Sequence, residues 1–180
     1  MSIMKNKKGL IMGVANERSI AWGIAKTLAQ HGAKLAFSYQ NESLKKRLTP
    51  LMNSIKSDKC FECDVSKDAS DLNSIENMFK EFSNTWNEID FVVHALAYSD
   101  KEELKGKYVN CSRENFLNSL DISAFSFTRT AKSALPLMSS KGGSLLTLSY
   151  LGAERTTPNY NVMGVAKSAL EASIKYLAMD

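Results

Sequence analysis

The chain has little that would point outside ordinary globular chemistry. In 180 residues it has three cysteines and two histidines. The odd count of Cys60, Cys63 and Cys111 argues against a disulfide framework and for a reducing, cytoplasmic compartment. Cys60 and Cys63 have CxxC spacing, but they fall in a predicted strand, where side chains three apart point to opposite faces and cannot chelate one ion. With only His31 and His94 to help, a metal site is not expected. No run approaches the ~18 apolar residues of a membrane span, and no signal-peptide stretch follows the basic start, Met1 to Lys8. Dense cationic clustering is absent too, since Lys45-Lys46-Arg47 reads as the solvent face of a helix, so nucleic acid is not an expected partner. The net charge of +4 suits a solvated surface or a docking patch for an acidic partner. There is no short-period repeat, low-complexity segment or linker, and residues 1–180 read as one domain with 44% hydrophobic content.

What is present is alternation. Short apolar runs at Gly9–Val14, Lys34–Tyr39, Lys59–Cys63, Ile89–Ala95 and Ser144–Leu148 predict strands. Between and after them, helical periods run from Ile20 to near Gly32, over Glu42–Ile55, along the face Leu72, Ile75, Met78, Phe79 and Phe82, through Phe116–Met138 as one or two helices, and over Asn159–Met179. This pattern predicts an α/β fold, a doubly wound parallel sheet of the Rossmann type. Such folds use two βαβαβ halves, so a sixth strand is expected after the last helix. None follows, and the chain reads as ending early.

The first strand is followed by Gly13, a turn, and a helix opening at Ser19-Ile20-Ala21-Trp22-Gly23, which is not GxGxxG but serves the same physics. Gly13 lets the backbone approach a pyrophosphate, and free N–H groups at the helix start face the anion. Ser19 is expected to cap that helix and donate to phosphate, and Gly23 to allow close helix–strand packing. The acid that usually ends the second strand and holds the adenosine ribose is replaced by Gln40, with no Arg beside it for a 2′-phosphate. That predicts NADH over NADPH. After the third strand Asp64 is placed to accept from the adenine amino group with Val65 against the ring, or else to cap a helix beginning near Ser66.

Near the other end stand Tyr150, Tyr160 and Lys167, spaced ten and seven residues apart. On one helix Tyr160 and Lys167 would share a side about 10 Å apart along the axis. Common short-chain dehydrogenases place tyrosine four before lysine, where this chain has Met163. A lysine ammonium and a helix N-terminus near the phenol would favour its ionised form and so make the hydroxyl a better proton donor.

The stretch from Ser149 to Ser173 resembles the NADH-dependent enoyl-acyl-carrier-protein reductases, an atypical branch of the short-chain dehydrogenases. Gly13–Ala25, Leu35–Glu42 and Cys63–Ser70 are similar to the same family, in the same order. The resemblance implies that Gly13, Ser19, Ile20, Gln40, Asp64, Val65, Leu96 and Lys167 contact NAD, with Lys167 on the nicotinamide ribose. It implies that Tyr160 hydrogen-bonds the thioester oxygen, that Tyr150 and Ser99 line the substrate site, and that acyl carrier protein delivers the enoyl group to a homotetramer. Tyr98 stands where the family more often has Phe, and Ala97 replaces a Gly, which narrows the acyl wall. Two other readings compete: a carbonyl-reducing short-chain dehydrogenase, which Met163 disfavours, and a non-catalytic NAD-binding fragment, which the early end favours.

Overall fold

The computed structural model describes residues 2–138 and 142–180. Its strands are β1 (Lys8–Met12), β2 (Lys34–Tyr39), β3 (Lys59–Glu62), β4 (Phe91–His94) and β5 (Ser144–Thr147), and its α-helices are α1 (Ile20–Gln30), α2 (Glu42–Ser54), α3 (Ile75–Thr85), α4 (Arg113–Leu120), α5 (Ser126–Ala134) and α6 (Asn161–Leu177). The strands form one parallel sheet in the order β3-β2-β1-β4-β5. From β1 the chain steps outward to β2 and β3, then returns to β4 on the other side of β1. That reversal is the switch point at which doubly wound sheets open a crevice for ligands, beyond the carboxyl ends of β1 and β4. The fold is Rossmann-like.

The chain divides into two compact units, residues 1–95 with 132–147, and 96–131 with 148–180. The first contains the sheet. β1 and β4 are buried along nearly their whole length, which is why their sequences run apolar without alternation. Ile11, Trp22, Ala25, Phe37, Leu48 and Val93 belong to one core cluster. A second set of aromatics, Phe61, Phe82 and Trp86, packs ring to ring, with Phe82 and Trp86 edge-on at 5.6 Å. Gly9 is paired with Phe91 in the sheet, and a Cβ on Gly9 would lie 1.9 Å from that ring. Only glycine fits there. The close packing expected of Gly23 is not found, because a Cβ on Gly23 would meet nothing within 4 Å.

Helix starts follow side-chain caps more closely than hydrophobic periods. Asn41 accepts from Leu44 N, Ser74 from Asn77 N and Ser112 from Asn115 N. The Ser74 cap begins α3 at Ile75, so Leu72, expected on its apolar face, lies outside the helix and is 95% exposed. The expected Phe116–Met138 segment is two helices joined by a π turn, Asp121–Phe125, and followed by a 3-10 turn, Leu135–Leu137. β1 ends two residues earlier than predicted, β3, β4 and β5 one earlier, and β4 starts at Phe91 rather than Ile89. In the second unit, α6 buries Val162, Met163, Ala166, Lys167 and Leu170, a stripe at helical spacing that includes a lysine. No helix among the described residues is long and apolar enough to cross a membrane.

Candidate active site

Gly13 has φ of 97°, a left-handed conformation that a side chain would strain, and it turns the chain directly after β1. Ser19 stands at the N-cap position of α1 but does not cap it. Its hydroxyl donates to Asn16 O at 2.7 Å, and Arg18 N donates to Asn16 Oδ1 at 2.8 Å. The expected Ser19 cap is therefore corrected: Asn16 organises the turn, and the first amides of α1 keep no side-chain acceptor. A helix start of this kind attracts an anion.

At the ends of β2 and β3, Gln40 Nε2 donates to Asp64 Oδ2 at 3.2 Å. Asp64 Oδ1 accepts from Ser66 N at 3.0 Å and from Ser66 Oγ at 2.7 Å. This is a local Asx turn, and no helix begins near Ser66, so the helix-capping reading of Asp64 fails. Desolvation pushes the Asp64 pKa up, but the Ser66 and Gln40 hydrogen bonds and the Lys67 charge outweigh it and hold the group below its ordinary value. Val65 is buried. Lys45, the nearest base along α2, is engaged by Glu42 at 3.1 Å and lies over the Tyr39 ring at 5.2 Å.

In the second unit the tyrosines come together. Tyr150 and Tyr160 have ring centroids 4.8 Å apart at 54°. Tyr160 is the N-cap residue of α6 rather than part of its first turn, so the two-turn helical relation to Lys167 holds only from Asn161 onward. Asn159 and Asn161 on either side have φ of 58° and 33°, conformations that asparagine tolerates better than most residues. Two glycines make room for this junction. A Cβ on Gly152 would sit 2.4 Å from Tyr160 Cδ1, and one on Gly164 would sit 2.7 Å from Gly152 O. The Asn161 amide donates to the carbonyls of Glu103, Lys105 and Gly106 at 3.1, 3.3 and 3.4 Å, tying this end of α6 to the 103–106 loop.

Lys167 is 5% exposed, and its ammonium donates to Leu148 O at 2.7 Å. Burial lowers its pKa. Tyr160 goes the other way: burial raises its pKa first, and the neighbouring Tyr150 adds to that. The expected lowering of the Tyr160 pKa by Lys167 and the helix end is thus not found, and burial and Tyr150 raise it instead. Ser149 donates to Glu171, and Ser99 Oγ to Asn115 Oδ1 at 3.2 Å. Leu96 is half-buried and Tyr98 exposed, with the Tyr98 N–H on Ser123 Oγ at 3.0 Å. An open cleft of about 650 Å³ is lined by Tyr160 together with Tyr108, Arg155, Thr156, Gly164 and Ser168. Sequence reading did not anticipate Gly152, Gly164 or Asn161; the glycines are visible in sequence, but which ring or carbonyl they admit is not.

A family model described as enoyl-(acyl carrier protein) reductase matches residues 13–180. The chain belongs to the enoyl-(acyl carrier protein) reductase family. Among its relatives, the enoyl-[acyl-carrier-protein] reductase [NADH] 2 of Rhizobium meliloti is 54% identical over 99% of this chain and 65% of its own length. The enoyl-[acyl-carrier-protein] reductase [NADH] FabI of Rickettsia typhi is 51% identical, again over 99% of this chain and 66% of its own. A crystal structure of the enoyl-(acyl-carrier-protein) reductase of Anaplasma phagocytophilum in complex with NAD superposes with a TM-score of 0.92 at 55% identity, over 98% of this chain and 66% of that one. This reductase-family chain thus spans about two-thirds of the length of the relatives it matches.

Proposed function

We propose that this chain carries the dinucleotide-binding and tyrosine-bearing part of an NADH-dependent enoyl reductase that reduces the trans-2 double bond of acyl-carrier-protein thioesters in fatty acid elongation. The observation that carries the reading is the pairing of Tyr160 with Tyr150 at the head of α6, with buried Met163 in the position a carbonyl-reducing relative would give to tyrosine. The residues suit a bound dinucleotide. Gly13 offers backbone without a side chain, α1 starts uncapped, Gln40 and Asp64 form a polar pair, and the Lys167 ammonium has donors beyond the one taken by Leu148.

In this reading Gly13, Ser19, Ile20, Gln40, Asp64, Val65 and Leu96 hold NADH, and Lys167 holds its nicotinamide ribose. Bound NADH supplies hydride to the β-carbon. Tyr160 donates a hydrogen bond to the thioester oxygen, where negative charge builds as hydride arrives, and the resulting enolate is completed by a proton delivered to the α-carbon from Tyr160 or from water. Such a donor stabilises the transition state more than the substrate, and losing one commonly costs about 3–4 kcal/mol. The raised pKa of Tyr160 keeps its hydroxyl protonated at neutral pH. Tyr150 and Ser99 line the acyl site. The same reading makes residues 1–180 part of one dinucleotide-binding domain in a cytoplasmic homotetramer that meets acyl carrier protein.

The test follows NADH absorbance with crotonyl thioester and with a 3-oxoacyl thioester, on the 180-residue chain and on a chain of the relatives' full length. Turnover of the enoyl substrate alone, slowed about 10²–10³-fold by Tyr160→Phe, is the expected result. Preference for the 3-oxoacyl substrate refutes the proposal.

A further inference from the structure

We propose that Asp64 is a positioning residue that selects NADH over NADPH by fixing which way the Gln40 amide faces. The inference rests on the dinucleotide-binding reading above and concerns only the first unit. Both Ser66 donors fall on Asp64 Oδ1, at 3.0 and 2.7 Å, which orients the carboxylate and leaves Oδ2 for Gln40 at 3.2 Å. An ionised carboxylate only accepts hydrogen bonds. Gln40 must therefore turn its NH₂ toward Asp64, and its planar amide then directs Oε1 elsewhere. Without such a partner a glutamine side chain could flip and offer either end to a ligand.

The consequence is chemical selection at the end of β2. A ribose 2′-hydroxyl can give its proton to Gln40 Oε1. A 2′-phosphate has no proton suited to that role near neutral pH, and it carries negative charge beside the Asp64 carboxylate. The first basic residue of α2, Lys45, is engaged by Glu42 and lies over the Tyr39 ring. Lys67 acts on Asp64 itself, favouring its ionised form. Selection thus comes from two groups acting together, an acceptor that rewards the hydroxyl and a charge that repels the phosphate.

Calorimetric titration with adenosine 5′-monophosphate and with adenosine 2′,5′-bisphosphate isolates this end of the cofactor from turnover. Wild type is expected to prefer the monophosphate. Asp64→Asn keeps the shape, removes the charge and lets the Gln40 amide face either way, and should narrow the preference by about five- to tenfold, through weaker monophosphate binding together with tighter bisphosphate binding. Gln40→Met, at an exposed position, should narrow it instead through weaker monophosphate binding. An unchanged ratio in folded Asp64→Asn, or in Gln40→Met should the first variant not fold, overturns the inference and leaves the dinucleotide reading standing. Failure of wild type to bind either nucleotide overturns both.

Discussion

Gly23 and Gly152 are expected to answer the same substitution with opposite signs. Gly23 lies inside α1, and an added Cβ would meet nothing within 4 Å. Alanine there removes the backbone entropy that glycine loses in a helix, a gain of about 1 kcal/mol. At Gly152 the new Cβ would stand 2.4 Å from Tyr160 Cδ1 and 2.7 Å from Cε1, so the ring must retreat by about 1 Å to reach ordinary contact. It has little room, because Tyr150 already lies against it at 4.8 Å, near the close end of the range for aromatic pairs. Overpacking of this sort costs about 1–3 kcal/mol. The two variants should therefore differ by roughly 2–4 kcal/mol, a spread in Tm on the order of 10 °C for a protein of this size. Thermal unfolding followed by far-UV circular dichroism measures it. A Gly152→Ala protein melting level with Gly23→Ala would refute the packing argument. In an active full-length enzyme, the same displacement of Tyr160 should also lower kcat by about 10².

The remaining predictions concern the junction and the buried charges. Gly164→Ala presses on Gly152 O, so combining it with Gly152→Ala should give a stability loss different from the sum of the two, read by urea unfolding of all three proteins. Asn161→Ala loses the hydrogen bonds to the 103–106 loop and keeps a side chain at positive φ, whereas Asn161→Gly loses only the bonds; the alanine variant should be less stable than the glycine one by about 1 kcal/mol in the same assay. Lys167 has its pKa lowered below 10.5 by burial, so the unfolded chain binds the extra proton and wild-type stability rises with pH as that limit is approached. Any stability advantage of Lys167→Met should accordingly shrink as pH rises toward 10.5, and an advantage constant in pH would contradict the burial argument. Asp90 is pushed up by desolvation but held below its ordinary 3.8 overall by Lys7 and the Lys8 N–H. Its contribution is present above 3.8 and lost as pH falls through the lower folded value, so Asp90→Asn should flatten acid unfolding in that range.

The sheet was legible because parallel strands buried on both faces leave continuous apolar runs, as in Leu10-Ile11-Met12 and Phe91-Val92-Val93. Boundaries were less legible because hydrophobicity does not mark where hydrogen bonding stops. Val14 is 4% exposed and Ile89 1% exposed, as buried as strand residues, yet both lie outside strands. Leu72 shows the converse: apolar and at helical spacing, it is left outside because Ser74 caps the helix after it. A hydroxyl that can accept from a backbone N–H decides a helix start more firmly than one leucine does.

At the site, the residues that bear chemistry were legible and their couplings were not. Tyr150, Tyr160 and Lys167 stand out by spacing, but spacing on an ideal helix implied that the ammonium would act on the phenol. Two asparagines in left-handed conformations place Tyr160 at the cap instead, and the Lys167 ammonium turns to Leu148 O. The sign of the tyrosine shift follows from that change. A phenol beside an ammonium would be lowered, whereas one half-buried against a second phenol is raised. Such a group is poorly suited to be a base near neutral pH and well suited to keep donating a hydrogen bond. The local backbone that no periodicity encodes thus decides which group lies beside the phenol.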